Sequence, residues 1–344
     1  MRSSWIANLG GCLFTAVACA TTPAQIPLVQ QHAANNRSVS PALFADLEEL
    51  SRIVDIAYCV GGFGLGIEKP FTWNTGPLLS DSCGFIALSH PPAAPRIIIA
   101  FRGTYSMTNT IADLSTVPQE YVPYPGDEGD GNNPDEPKCT NCTVHTGFYT
   151  SWRHTRDEIL PHVLLALEKY PGYSVTLVGH SLGGAVATFA GLEMLARGLN
   201  PTVTTFGEPR IGNQALADYV DFRFNLSRNS TAALTQDRQR FRRVTHVDDP
   251  VPLLPLEEWG YVPHGGEIFI SKPDLPPGIA DVHHCSGSED PECLTGPEIQ
   301  GSFWGVPTRF KLWQLFFAHR DYFWRLGLCV PLDIGYWTGH GGSE

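Results

Sequence analysis

The pentapeptide Gly179-His-Ser-Leu-Gly183 is the feature that most constrains this chain. A β-rich run, residues 174–178, precedes it, and a run rich in small residues, 184–197, follows it with helical character. A G-x-S-x-G sequence in that setting predicts a sharp strand-to-helix turn that exposes the serine hydroxyl. Side chains at 179 and 183 would clash in so tight a turn, so glycine is required at both. Ser181 is therefore the candidate nucleophile.

A serine nucleophile needs a base and an acid that orients the base. After a turn of this kind the acid precedes the histidine in the chain. Asp248 and Asp249 both follow the predicted strand 243–247, which Pro250 ends, and the residues alone favour neither. Of the downstream histidines, His319 lies in the aromatic run 316–323, which would hold its imidazole rigidly and keep water out. The candidates are His264, His283, His284, His319 and His340.

A tetrahedral intermediate also needs hydrogen-bond donors aimed at its oxyanion. The amide of Leu182, directly after the nucleophile, is one candidate, and the amide of Thr104, after the predicted strand 96–102, is the second. The next segment, 106–114, predicts a short helix with an apolar stripe that could cover the site as a lid. That stripe consists of Met107, Ile111 and Leu114.

The remaining chain predicts alternating helices and strands. Apolar spacing predicts a helix from Pro41, and a second helix over 147–170 with a kink or restart at Pro161. Residues 123–137 are rich in proline, glycine and acids, which indicates an exposed loop rather than a calcium site. Strands that alternate with helices predict an α/β fold, with a mostly parallel sheet between helices.

The ends of the chain and its charge limit what the protein can be. Residues 1–20 resemble a cleaved signal peptide, with an Ala18-Cys-Ala20 cleavage site. We expect a loose leader over 21–40, one domain over 41–330 and a tail over 331–344. The net charge of −12 argues against a nucleic-acid partner, and no later apolar run is long enough to be a transmembrane segment.

Secretion favours disulfide bonds and glycosylation. Seven cysteines follow the predicted signal peptide, and the pair Cys139 and Cys142 predicts a local staple rather than a redox or zinc pair. Glycosylation sequons begin at Asn36, Asn141, Asn225 and Asn229.

Several separate stretches resemble the fungal class 3 lipases, the group of secreted triacylglycerol lipases and feruloyl esterases. The resemblance implies the α/β-hydrolase fold and selects Asp249 and His319 as the partners of Ser181. It also implies that Thr104 and Leu182 bind the oxyanion. The stretches are Phe101-Arg-Gly-Thr104, Val144-His-Thr-Gly-Phe-Tyr-Thr-Ser-Trp152, Gly179-His-Ser-Leu-Gly-Gly-Ala185, Phe206-Gly-Glu-Pro-Arg-Ile-Gly-Asn213, Val244-Thr-His-Val-Asp-Asp-Pro-Val-Pro252 and Ala318-His-Arg-Asp-Tyr-Phe323.

The resemblance further implies disulfides Cys59–Cys329, Cys139–Cys142 and Cys285–Cys293, with Cys83 left over. It gives the segment 207–213 a structural role only. The implied protein is a secreted serine hydrolase of lipid esters, with possible phospholipase side activity, and it needs no metal or cofactor. We expect a monomer that acts at an oil–water or membrane interface.

Two other interpretations stay open. One is a feruloyl esterase of plant cell walls, because Thr110 stands where many of the lipases carry a lid tryptophan. The other is an inactive lipid-binding relative, which the presence of all three triad residues disfavours.

Overall fold

A mixed sheet of eight strands forms the centre of the protein. The computed structural model describes residues 37–59, 71–76, 82–104, 118–125, 137–226, 236–287, 290–294 and 317–327. Within these residues the strands are β1 (Phe71–Asn74), β2 (Cys83–Ser89), β3 (Arg96–Phe101), β4 (Pro118–Glu120), β5 (Thr143–His145), β6 (Ser174–His180), β7 (Thr202–Phe206), β8 (Phe241–His246), β9 (Glu267–Ile270) and β10 (Val282–His284). The helices are α1 (Pro41–Tyr58), α2 (Thr146–Lys169), α3 (Leu182–Ala196) and α4 (Gln214–Phe224).

The sheet order is β1-β2-β3-β6-β7-β8-β9-β10, and β4 and β5 pair separately. The run β3-β6-β7-β8-β9 is parallel, while β1, β2 and β10 add antiparallel strands at the two edges. Strands β6 and β7 are joined through α3, and β7 and β8 through a connection that contains α4. The predicted mostly parallel sheet is confirmed, and the carboxyl ends of its parallel strands share one edge.

Helices cover both faces of this sheet. One face of β2, β3, β6 and β7 packs with α2, α3 and α4 in one apolar cluster. The opposite face packs with α1 and residues 322–326 in a second cluster. Neighbouring residues of β3 alternate between the clusters, Ile97 and Ile99 in the first and Ile98 in the second. Burial on both faces explains why the strands read as continuous apolar runs rather than as alternating ones.

Helix α1 begins where the sequence places it. Ser40 caps it, because its hydroxyl accepts a hydrogen bond from the amide of Leu43 at 3.1 Å, and Pro41 occupies the first turn, where no amide donor is needed. The helix contacts the segment 317–327: the ring centroids of Phe44 and Phe323 lie 5.3 Å apart. The amide of Gly327 donates to Asp55 Oδ1 at 2.6 Å. The first described helix and the last described segment therefore pack against each other on one face of the sheet.

Of the kink or restart predicted at Pro161, the restart is wrong, because α2 runs unbroken from Thr146 to Lys169. Pro161 and Asp157, whose carbonyl loses its helical partner there, both lie on the exposed side of the helix. Water can hydrate that carbonyl, which lowers the cost of the missing hydrogen bond. The buried residues stay on one face across the proline, ending with Ile159 and Val163.

Two of the implied disulfides lie within the described residues and both form, Cys139–Cys142 and Cys285–Cys293. Cys59 is disulfide-bonded and Cys83 is a buried free thiol. Asn141 and Asn225 are exposed. Outside the described residues lie Cys329, the sequons at Asn36 and Asn229, the lid residues Met107, Ile111 and Leu114, Thr110, His340, residues 1–36 and 328–344, and most of the acidic loop 123–137.

Candidate active site

Ser181 stands in a strained turn between β6 and α3. Its backbone has φ 57° and ψ −128°, a combination that costs a residue with a side chain about 1–3 kcal/mol. Two contacts hold the turn: the Ser181 amide donates to the carbonyl of Phe206 at 2.9 Å, and the Gly184 amide donates to the carbonyl of Ser181 at 2.9 Å. The strain is thus imposed by the neighbouring strand and the first helical turn, which together fix the hydroxyl at the end of the sheet.

The two glycines of the pentapeptide are needed for different reasons. A Cβ on Gly179 would stand 2.0 Å from the carbonyl oxygen of Gly183, inside the turn itself. A Cβ on Gly183 would stand 2.4 Å from the carbonyl oxygen of Phe101, at the end of β3. The predicted clash is therefore correct for Gly179. Gly183 instead permits the turn to pack on the strand that leads to Thr104.

Asp249 and His319 form the buried acid–base pair of the site. His319 Nδ1 lies 2.9 Å from Asp249 Oδ2 and 3.0 Å from Oδ1, and both side chains have zero solvent exposure. Because a carboxylate only accepts, His319 Nδ1 carries the proton, and Nε2 is left as the basic nitrogen. Asp249 Oδ1 also accepts from the amide of Val251 at 2.9 Å. Asp248, the alternative acid, is only half-buried.

Tyr322 is a third partner of this carboxylate. Its hydroxyl donates to Asp249 Oδ2 at 2.6 Å. Burial, and then the charge of Asp249, hold the pKa of Tyr322 well above its usual value, so it remains a donor. Gly207, with φ +59°, leaves room for the cluster: a Cβ there would stand 2.7 Å from the Tyr322 hydroxyl and 2.8 Å from Asp249 Oδ2.

Three buried polar atoms at this edge of the sheet have no hydrogen-bond partner among the described residues. They are the hydroxyl oxygens of Thr104 and Ser181 and the Nε2 atom of His319. Most buried polar atoms in proteins are paired, so a group of unpaired ones needs an explanation. This is the state expected of a nucleophile, a base and an oxyanion donor before a substrate binds, because the hydrogen bonds of catalysis often tighten only in the complex.

The loop that carries Thr104 touches the nucleophile directly. A Cβ on Gly103 would lie 2.9 Å from the Cβ of Ser181 and 2.8 Å from the carbonyl oxygen of His180. Gly103, the residue before Thr104, therefore packs directly against the serine. The amide of Leu182 is the first of α3, where backbone donors have no acceptor within the helix. The two predicted oxyanion donors therefore follow Gly103 and Ser181 in the chain, and these two residues are in contact.

The other described histidines have different surroundings. His264 is buried with Nε2 3.4 Å from Glu208, a carboxylate on a different strand end from Asp249. His284 pairs with Asp237 at 2.7 Å, and Nε2 of His283 lies 3.4 Å from the carbonyl of Glu292. Of the four candidate bases among the described residues, His319 is the one that the structure places against Asp249.

His180, between Gly179 and Ser181, connects the turn to two other segments. Its Nδ1 lies 2.5 Å from the hydroxyl of Tyr58, at the end of α1, and its Nε2 lies 2.7 Å from the carbonyl oxygen of His319. The residue is fully buried, and burial holds its pKa well below the usual value. It is therefore neutral at physiological pH.

Sequence reasoning missed Tyr58, His180, Gly207 and Tyr322. Tyr322 could have been found, since it stands three residues after His319 inside a quoted motif and a buried tyrosine hydroxyl needs a partner. The resemblance gives Gly207 a structural role only, without indicating the cluster that lies against it. Within the described residues, no group of three or more His, Cys, Asp or Glu side chains has the arrangement of a metal site.

The family profile described as Lipase (class 3) matches residues 98–259, which include Thr104, Ser181 and Asp249. Secreted mono- and diacylglycerol lipase 2 of Gibberella zeae is 49% identical, over 88% of this chain and 87% of that protein. Lipase A of Sodiomyces alcalophilus is also 49% identical, over 89% of this chain and 87% of that protein.

A solved structure has the same fold. The crystal structure of Lip2 lipase from Yarrowia lipolytica aligns with a TM-score of 0.70 at 27% identity, over 86% of this chain and 97% of that one. The similarity extends well beyond the nucleophile turn, because it covers most of both chains.

Proposed function

This chain belongs to the class 3 lipase family, and we propose that it is a secreted lipase that hydrolyses the carboxylic esters of acylglycerols. Family membership and the site geometry support an ester hydrolase. The relatives in Gibberella zeae and Yarrowia lipolytica are named as lipases, which supports glycerides over feruloyl esters. The Gibberella relative is named a secreted mono- and diacylglycerol lipase. This name supports both an extracellular location and acylglycerols as the substrate class.

The proposed reaction begins with attack of the Ser181 hydroxyl on the ester carbonyl. His319 Nε2 takes the serine proton and returns it to the leaving alcohol, which leaves an acyl-enzyme. Asp249 keeps the proton on Nδ1 and stabilises the imidazolium that forms during each transfer. Water, activated by His319, then releases the fatty acid and restores Ser181.

The developing oxyanion would be held by the amides of Leu182 and Thr104. Each such donor typically contributes about 10²–10³ in rate. The unpaired, buried hydroxyl of Thr104 supports a third donor at the same place. The strained backbone of Ser181 supports the same assignment, because it holds the hydroxyl beside the first amides of α3.

The observation that carries the proposal is the Asp249–His319 pair, with its 2.9 Å contact, next to a buried Ser181 whose hydroxyl has no described partner. A structural hydrogen-bond network would use His319 Nε2 as well as Nδ1. An apolar lid formed by residues 106–114 would adapt this site to an oil–water or membrane interface. We further propose that the enzyme works as a monomer. Within the described residues no helix has the length and apolarity to cross a membrane.

The test is ester hydrolysis by wild type, Ser181→Ala and Ser151→Ala. Ser151 is a matched control, because it is a buried serine on α2 whose hydroxyl also has no described partner. We expect Ser181→Ala to lose about 10⁴-fold or more in kcat, and Ser151→Ala to keep wild-type activity. A Ser181→Ala protein that retains most of its activity would overturn the mechanism.

The substrate class is tested on the wild type with tributyrin and with methyl ferulate. We expect the tributyrin rate to rise sharply as droplets form, and methyl ferulate to be a poor substrate. A smooth saturating curve with efficient ferulate turnover would show that the protein is a feruloyl esterase. The proposed triad would be unaffected by that result.

A further inference from the structure

A continuous series of hydrogen bonds passes through Tyr58 and His180 and joins three segments of the site. The Tyr58 hydroxyl accepts from the backbone amide of Gly103 and contacts His180 Nδ1 at 2.5 Å. His180 Nε2 contacts the carbonyl oxygen of His319 at 2.7 Å. The series therefore begins on the Thr104 loop, crosses the nucleophile turn and ends on the backbone of the base.

The direction of each hydrogen bond follows from the chemistry of the groups. A carbonyl oxygen only accepts, so the proton of His180 is on Nε2. Because burial keeps His180 neutral, Nδ1 has no proton and accepts from the Tyr58 hydroxyl. The Tyr58 oxygen accepts from Gly103, and burial raises the pKa of Tyr58, which keeps its proton in place. One tautomer of His180 is thus fixed from both sides.

Each of the three segments that the series joins carries a group that the proposed reaction uses. Gly103 precedes Thr104, whose amide is a proposed oxyanion donor, and His180 precedes Ser181. The third segment is held through the backbone of His319 itself, while its ring lies 4.5 Å from the ring of His180, centroid to centroid. Packing between these parts is tight, since a Cβ on Gly103 would meet both Ser181 and the backbone of His180 at under 3 Å. A small displacement of any one segment would therefore be passed to the others.

We propose that Tyr58 is a positioning residue for catalysis: through the Nε2–H tautomer of His180 it holds the oxyanion loop, the nucleophile turn and the base in one arrangement. This inference rests on the proposed hydrolase function. Tyr58 lies at the end of α1, which contributes no group to the reaction. Its hydrogen bonds would nevertheless affect how well the site binds the transition state. A misplacement of about 1 Å in such a site can cost about 10² in rate.

The first test compares Tyr58→Phe with Tyr219→Phe on a soluble short-chain ester. Tyr219 is a matched control: it is buried, its hydroxyl makes hydrogen bonds to Pro137 and Arg223, and it belongs to the apolar cluster on the opposite face of the sheet. We expect Tyr58→Phe to lower kcat about tenfold to a hundredfold with KM changed by less than about threefold. Tyr219→Phe should keep the wild-type kcat. Equal kcat values for the two variants would overturn the positioning role.

A second variant tests whether Tyr58 acts through His180. His180→Gln can place its amide NH2 near the position of Nε2 and donate to the His319 carbonyl, but it has no acceptor atom at the position of Nδ1, which Tyr58 uses. We expect Tyr58→Phe and His180→Gln to lower kcat by similar factors, and the double variant to be no slower than the slower single one. Losses that multiply in the double variant would show that the two residues act separately, and would reject the series.

Nitrogen-15 NMR of the histidine rings tests the tautomer without any activity. In wild type and in Ser181→Ala we expect His180 to show a protonated Nε2 and a bare Nδ1 as the pH is lowered from 8 through 6.5. An Nδ1–H tautomer, or titration near pH 6.5, would overturn the inference. If wild type hydrolyses no ester, the proposed function fails, whereas this spectrum still reports whether the hydrogen-bond series exists.

Discussion

Two buried carboxylates follow neighbouring strands of the sheet, and their surroundings are almost alike. Glu208, just after β7, accepts from the hydroxyls of Thr188 at 2.6 Å and Thr205 at 2.7 Å, with His264 at 3.4 Å. Asp249, just after β8, accepts from the Tyr322 hydroxyl, a backbone amide and His319. Both carboxylate side chains have zero solvent exposure.

The difference lies in the second nitrogen of each histidine. His264 Nδ1 faces the carbonyl oxygen of Gly265 at 2.9 Å, so both of its ring nitrogens contact an oxygen atom. His319 Nε2 has no partner among the described residues, and neither has the neighbouring Ser181 hydroxyl. A buried histidine paired with a carboxylate is therefore not by itself an active-site signal. The informative sign is the nitrogen that the fold leaves unpaired.

The largest difference between the two clusters should appear when the charge of each carboxylate is removed. Asp249→Asn should lower kcat by about 10³–10⁴, because the amide no longer fixes the proton on His319 Nδ1. Glu208→Gln should leave kcat within about threefold but lower the free energy of unfolding by about 1–3 kcal/mol, because a buried hydrogen-bond acceptor is lost. The measurements are ester hydrolysis and urea unfolding of both variants. Similar losses of activity would mean that Glu208 also serves the reaction.

A methyl group added beside each cluster should have the next largest effect. Gly207→Ala would place its Cβ 2.7 Å from the Tyr322 hydroxyl and 2.8 Å from Asp249 Oδ2, at a φ of +59°. We expect a loss in kcat of about 10², because the acid must move. Gly184→Ala would place its Cβ 3.2 Å from the Cβ of Glu208, inside α3, and should change kcat less than threefold.

The crystal structures of both glycine variants provide the control. Asp249 should be displaced in Gly207→Ala, whereas Glu208 should keep its position in Gly184→Ala. An unmoved Asp249 together with a low kcat would show that Gly207 affects the reaction by another route.

A smaller difference in kcat between the two clusters is expected when each carboxylate loses one hydroxyl donor. Tyr322→Phe deletes the 2.6 Å hydrogen bond to Asp249, and Thr205→Val deletes the 2.7 Å hydrogen bond to Glu208. Both should lower the free energy of unfolding by about 1–2 kcal/mol. Only Tyr322→Phe should reduce kcat, by about tenfold, since Asp249 then binds the imidazolium less rigidly. A Thr205→Val enzyme as slow as Tyr322→Phe would contradict the distinction.

The smallest expected effect is a loss of folding stability at low pH, caused by protonation of His246 near Asp249. Burial lowers the pKa of His246, whose Nδ1 accepts from the amide of Asp248 and whose Nε2 contacts the carbonyl of Lys272. The unfolded chain takes up this proton near pH 6.5 and the folded protein only at lower pH. Stability is therefore complete above pH 6.5 and falls below it, by at most about 1.4 kcal/mol per pH unit.

The measurement is thermal unfolding between pH 7 and pH 5 for wild type and His246→Asn. Other buried histidines, such as His180, contribute to the wild-type slope in the same direction. The variant should show a shallower decrease of Tm with acidity. Equal slopes would show that His246 is not one of the groups that take up the proton.

The sequence was informative wherever a local pattern reports on local structure. The apolar runs before Gly103 and Gly179 predicted β3 and β6 because strands buried on both faces need such runs. The nucleophile turn was visible because its glycines and serine lie within five residues. The choice of Asp249 and His319 depended on the resemblance, since five histidines fitted the residues alone and only the fold brings one of them to the acid.

What the sequence did not show depends on distant contacts or on exposure. Tyr58 fits the amphipathic pattern of α1, and nothing near it indicates a hydroxyl bonded to a residue 122 positions later. The continuity of α2 through Pro161 depends on which side of the helix faces water. Gly207 reads as a turn residue, and its reason for being glycine is the cluster that forms against it.

The position of His319 on the last described segment has a consequence for how the protein is made. That segment is held by contacts to α1, among them Gly327 to Asp55 and Phe323 against Phe44. A nascent chain on the ribosome can already contain Ser181 and Asp249 while it still lacks His319, the proposed base. Under the proposed mechanism, the growing chain would gain its activity only after translation has passed residue 319 and this segment has packed on the first helix.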